Sequence, residues 1–167
     1  VENLADTADI TLPGTLFNRA LKVEQKIAEG DAVRIRLGYD RILRDEFSGY
    51  VSEIATDNDS VRIHCEDELY KFRKDLKDRV LKSVTVKTLL TSVAEEVGKY
   101  EVACDYDFTY DNFTIHAATG YDVLRKVQSE TKANIYLRGK TLHVHPQYAQ
   151  IGEKVIYDFA VNIEKSD

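Results

Sequence analysis

The sequence has no methionine and no tryptophan, only 2 prolines and 2 cysteines in 167 residues, and 8 glycines that are scattered and not grouped. Each scarcity excludes something. Cys65 and Cys104 cannot form a dense disulfide framework, and neither sits in a CxxC or CxH pattern, so both read as small buried hydrophobes in a reducing compartment. No glycine cluster matches a P-loop or G-x-G-x-x-G, which removes nucleotide binding through those devices. There is no G-x-S-x-G elbow. Uninterrupted apolar runs are a few residues long, far short of the roughly 20 needed to cross a bilayer. A translated chain begins with methionine, so the expectation is a processed product or an excised piece whose end residues need not be domain ends.

What is present balances 23 Lys+Arg against 29 Asp+Glu, a net charge of −6, with 43% hydrophobic and 31% charged residues. Such a composition buries a core, and it supplies no Lys/Arg stripe for nonspecific binding to DNA. Tyrosine is abundant, 10 residues, which suits surfaces that are half apolar and half wet, such as protein interfaces.

Hydrophobic period divides the chain. Ala8 to Leu12 alternates and stops at Pro13-Gly14. Val33, Ile35 and Leu37 share one face of a second strand. The charged stretch Asp40 to Glu46 reads as a separator before a strand over Phe47 to Ile54, bent at Gly49. After a turn at Asp57-Asn58-Asp59-Ser60, Val61 to Cys65 alternates again. From residue 79 the period lengthens. Val86, Leu89, Leu90, Val93 and Val97 define a helix with Thr85 as N-cap and Gly98 at the C-terminal glycine position. Strands at 101–105 and 112–116 follow, then a helix through Tyr121, Leu124 and Val127, and a hairpin over 134–138 and 141–145 turning at Gly139. Val155 to Ile163 is a last alternating strand that needs a partner to be stable.

The expected fold class is therefore α+β. Residues 1–78 form an antiparallel β-barrel-like domain. Residues 79–145 form a small two-layer α+β domain running helix-strand-strand twice, and residues 146–167 hold a linker and a strand that pairs with the first barrel or opens a second. Charge divides similarly: residues 1–78 carry 12 Lys+Arg and 17 Asp+Glu (−5), residues 79–145 carry 9 and 8 (+1), and residues 146–167 carry 2 and 4 (−2).

Candidate chemistry is sparse. His143 and His145 fall on one face of a strand, where two imidazoles can share a metal; the competing reading has Leu142 and Val144 facing the core and both histidines facing water. Asp105, Asp107, Thr109 and Asp111 imitate the start of a calcium loop, but its sixth and twelfth places hold Tyr110 and His116 instead of Gly and Glu. Glu95 and Glu96 point about 100° apart on a helix, so they do not make a facing acid/base pair. Glu66, Asp67 and Glu68 form a second carboxylate run. Arg34 and Arg36 share the polar side of a strand, where carboxylates on a neighbouring strand are the common partners. No catalytic, cofactor-binding or metal residue is assigned, and no cofactor is expected.

The run Asp6-Thr7-Ala8-Asp9-Ile10-Thr11-Leu12-Pro13, followed by Glu29 to Ile35, Leu37-Gly38-Tyr39 and Phe47 to Ile54, resembles the first barrel of phage tail baseplate hub proteins, the late control protein D and VgrG-like group. Cys65-Glu66-Asp67 with Leu69, and Gly120 to Leu124 leading to the hairpin at Gly139, are similar to that family's next domain, so the resemblance spans residues 4–163. It implies a non-enzymatic structural role: self-association into a ring, usually a trimer, that joins tail tube to spike in contractile tails and related injection systems. The expected partners are the tube and spike proteins, with no membrane and no specific nucleic acid, and the expected location is the virion tail, assembled in the bacterial cytoplasm. On the family plan a segment before Val1 and most of a second barrel lie outside this chain. An acidic balance suits a channel wall that must not retain passing DNA. Two rival readings are a hydrolase whose carboxylates converge only in three dimensions, and a nucleic-acid-binding α+β module, which here lacks a GxxG clamp or aromatic RNP motif.

Overall fold

A computed structural model describes residues 4–13, 26–39, 42–57 and 60–146. Four strands, β1 (Thr7–Pro13), β2 (Ala32–Tyr39), β3 (Ile42–Thr56) and β4 (Ser60–Glu66), form one curled antiparallel sheet in the order β1-β4-β3-β2. Three hairpin-linked strands with the first returned beside the last is the Greek-key order. Alternation places Ala8, Ile10, Leu12, Val33, Phe47 and Ile54 around the buried Val51, Val61, Ile63 and Cys65. Two bulges curl the sheet: one shifts the β2–β3 register after Ile35, the other shifts β3–β4 between Val51 and Glu53.

β3 is longer than the sequence predicts. From Ile42 on, the charged stretch expected to separate two strands is instead the first part of β3: Leu43 pairs with Gly38, Arg44 with Leu37 and Asp45 with Arg36, while Glu46 sits at the register shift. β4 pairs β3 only from Tyr50 onward, so the outer part of the β2–β3 hairpin is a two-stranded ribbon extending past the sheet.

Residues 68–146 build most of a larger core. A 3-10 helix (Glu68–Arg73) leads to β5 (Arg79–Thr85), α1 (Val86–Gly98), β6 (Glu101–Cys104), β7 (Thr109–Ile115), α2 (Gly120–Thr131), β8 (Ala133–Arg138) and β9 (Thr141–Pro146). Leu69 and Phe72 of the 3-10 helix are fully buried with Leu89, Leu90 and Val93 of α1, Leu124 and Val127 of α2, and Leu142 and Val144 of β9. The first helix starts at the Thr85 cap its sequence predicts, and the second starts at Thr119, a cap not among the sequence expectations. The Thr88 N–H donates to Thr85 Oγ1 at 3.1 Å, and Thr119 and Asp122 form a reciprocal capping box. Gly98 is not the left-handed cap: it is the last helical residue, packed against the Tyr100 ring, and Lys99 takes φ +59°.

In chain order this part runs helix-strand-strand twice, yet the two halves pair differently. β7 pairs antiparallel with β5, while β6 runs parallel to β9 at the edge of a three-stranded sheet, β6-β9-β8. β5 escapes a reading by alternation because Ser83, at φ +47°, interrupts its ladder. Residues 105–108 carry the chain between the two sheets, held by the Tyr106 hydroxyl on the Thr131 carbonyl at 2.5 Å. The strand expected at 155–163 lies outside the described residues.

Candidate functional site

Two surfaces stand out, and the first is the end of the β2–β3 ribbon. Leu37, Tyr39, Ile42 and Leu43 are 61%, 91%, 70% and 53% exposed. Leu37 was expected to share a face with the half-buried Val33 and Ile35, yet it is exposed: the register shifts after Ile35, and β4 pairs β3 only from Tyr50 onward. Lower on the ribbon, Arg34 and Asp45 meet across the strands at 2.6 Å, the neighbouring-strand carboxylate that Arg34 was expected to find. Four large apolar side chains clustered at one projecting tip are the mark of an interaction surface, not of scattered surface exposure.

The second surface is an open groove of about 550 Å³ where the first sheet meets the larger core. Tyr50 of β3 stacks on Tyr70 at 5.8 Å between ring centres, and the Lys71 ammonium lies 3.8 Å from the Tyr50 ring centre. On the other wall the buried Tyr100 packs on Phe72, donates its hydroxyl to Glu68 at 2.7 Å, and has Lys140 above its ring at 5.4 Å. Burial, then hydrogen bonding to Glu68, raises both the Tyr50 and Tyr100 phenols above their ordinary value, so both stay protonated. Convergence of these residues was invisible in the sequence, where they lie up to 90 positions apart.

The carboxylate runs are dispersed by the fold. Glu66 accepts two bonds from Arg73, at 2.7 and 2.6 Å, Asp67 caps the 3-10 helix through the Leu69 N–H at 2.9 Å, and Glu68 belongs to the groove. Glu95 is exposed, while Glu96 turns to Arg79 at 2.5 Å and the Lys77 N–H at 2.8 Å. Leu142 and Val144 are fully buried and His143 and His145 lie on the opposite face, stacked with Tyr136. Asp105 meets His145 Nδ1 at 2.9 Å, and Asp107 is exposed. Among the described residues no three His, Cys, Asp or Glu side chains converge as metal ligands, and Cys65 and Cys104 are free thiols. Burial raises the Cys65 thiol above its usual value, which fits a packing role.

No protein-family model matches the chain, and no curated protein matches it. Among solved structures it is similar to the 43 kDa tail protein of prophage MuSo2 from Shewanella oneidensis, with 16% identity and a TM-score of 0.55 over 86% of this chain and 46% of that one. A tail protein from Neisseria meningitidis MC58 aligns over 84% of this chain and 42% of its own length at 11% identity and a TM-score of 0.49. The chain thus spans less than half the length of either structure. The property shared with the MuSo2 tail protein is the fold.

Proposed function

We propose that this chain is a structural hub component of a phage tail baseplate or a related contractile injection system, in which copies associate into a ring, a trimer on the plan of the family it resembles, that joins tail tube to spike. The carrying observation is the projecting β2–β3 ribbon with its apolar tip, on a fold shared with a prophage tail protein. A non-enzymatic, structural role is part of this proposal. The division at 1–78, 79–145 and 146–167 belongs to the same proposal, with Leu69, Phe72 and Leu76 packing into the larger core from the first segment. So do the virion-tail location and assembly in the bacterial cytoplasm. Among the described residues no helix is long and apolar enough to cross a membrane.

The test is the solution mass, by light scattering, of a longer version extended at both ends. A trimer, or a closed ring of another order, supports the reading, and a strict monomer at high concentration overturns it.

A further inference from the structure

We infer that the groove between the first sheet and the larger core is a docking site for an acidic peptide segment of a partner chain, gripped by Lys71 and Lys140. The inference stands apart from ring assembly, since a monomer can hold such a segment.

Charge singles out the groove. In a chain of net charge −6, its walls carry four cations, Lys71, Arg73, Lys74 and Lys140, against the single carboxylate of Glu68. Two of those cations are already answered. Arg73 is clamped by Glu66 through two hydrogen bonds, and the Lys74 ammonium donates to the Glu96 carbonyl at 2.8 Å, in the last turn of α1. Lys71 and Lys140 are different. Among the described residues neither has a carboxylate partner, and each is instead set over a tyrosine ring, Lys71 at 3.8 Å from Tyr50 and Lys140 at 5.4 Å from Tyr100. A ring face favours the ammonium electrostatically but accepts no strong hydrogen bond, so the N–H donors remain available to an incoming anion. Glu68 accepts from the Tyr100 hydroxyl at 2.7 Å and remains an anion, so the two unanswered cations stand against one negative charge.

The geometry favours a peptide over a nucleic acid. Base stacking needs an open aromatic face, and here Tyr50 has Tyr70 and Lys71 against it while Tyr100 has Phe72 and Lys140. A long polyanion also meets repulsion from the net acidic remainder of the chain. A groove of about 550 Å³ accommodates several side chains, and its two unanswered cations come from separate elements, the 3-10 helix and the β8–β9 turn. That spacing suits a segment with two or more Asp or Glu residues.

The probe is a fluorescently labelled peptide of six glutamates, titrated with the protein at low salt and followed by anisotropy. Saturable binding is expected, weakened by added salt, reduced at least about tenfold by Lys71→Ala with Lys140→Ala, retained by Lys71→Arg with Lys140→Arg, and unchanged by Lys87→Ala on the exposed face of α1. The arginine pair keeps the charges and guards against a folding defect in the alanine pair. Absence of saturable binding, equal affinity in the alanine pair, or a single-stranded oligonucleotide that binds as tightly and is lost with the same substitutions overturns the proposal.

Discussion

Gly49 lies in β3 where the backbone of β4 passes at its closest. A Cβ at this position would overlap the carbonyl oxygen of Glu66, a backbone atom that cannot swing aside. Gly49→Ala is expected to destabilise by about 3 kcal/mol, because the β3–β4 ladder must part to admit one methyl group. Urea unfolding of the variant checks it. Glu66, the ladder partner of the adjacent Tyr50, has a side chain only 8% exposed, with both oxygens taken by Arg73, whose guanidinium also lies 4.6 Å from the Tyr121 ring centre. Arg73 is itself half exposed, so the pair is worth less than a fully buried one. Glu66→Gln, which removes the charge but keeps the shape, is expected to cost about 1–2 kcal/mol by the same measurement. These side chains tie the end of β4 to the 3-10 helix, and thereby hold one wall of the groove.

The element whose behaviour most concerns function is the β2–β3 hairpin. A two-stranded ribbon is marginal in water, and this one carries large apolar residues at its tip that are more than half exposed. Replacing Leu37, Tyr39, Ile42 and Leu43 together by threonine keeps strand propensity and removes the apolar surface. The unfolding free energy of the monomer is expected to change by less than about 0.5 kcal/mol per site, while concentration-dependent self-association is lost. Light scattering and urea titration on the same samples separate the two effects, and a large loss of stability with association intact would overturn the role given to the tip. Helix starts follow a simpler rule. Thr119→Ala removes the capping box of α2 and is expected to cost about 1 kcal/mol, read from thermal melts.

At the scale of the whole molecule, the larger core depends on carboxylates that link its elements. Backbone donation from Lys77, then Arg79, holds Glu96 below its ordinary 4.5; the Ala117 N–H, then His116, hold Asp78 below 3.8; and Thr119 holds Asp122 below 3.8. In the unfolded chain these groups take up protons at their ordinary values, whereas the native state keeps them ionised at lower pH. Their stabilising contribution is therefore complete above about pH 5 and is lost as pH falls through the lowered native values. Melting temperature is expected to drop between pH 5 and pH 3, and Glu96→Gln to flatten part of that drop. An unchanged acid profile in the variant would remove Glu96 from this account.

Much of the fold was legible from spacing alone. Period-two alternation located β1, β2 and β4, and period 3.6 located both helices, with a threonine cap read for the first alone, because each pattern reports a single element with one buried face. That reasoning erred at Leu37, which continues the alternation of Val33 and Ile35 yet points to solvent, since burial needs a neighbour as well as a period. It passed over β5, broken at Ser83, and it took the charged start of β3 for a separator, since polar residues are compatible with a ribbon that has water on both sides. Within the sites, only the general abundance of tyrosine and the outward-facing histidine pair could be read in advance.

The sequence by itself determined where the described helices and most of the strands begin and end, because capping, turn chemistry and side-chain period act over a few residues. Only the tertiary structure decided which strands pair, that β6 runs beside β9 and β7 beside β5, that the carboxylate runs scatter to separate partners, and that Lys71 and Lys140 face one groove. Those outcomes depend on contacts between residues far apart in the chain, whose energies are set by burial and charge in three dimensions and leave no periodic trace in one.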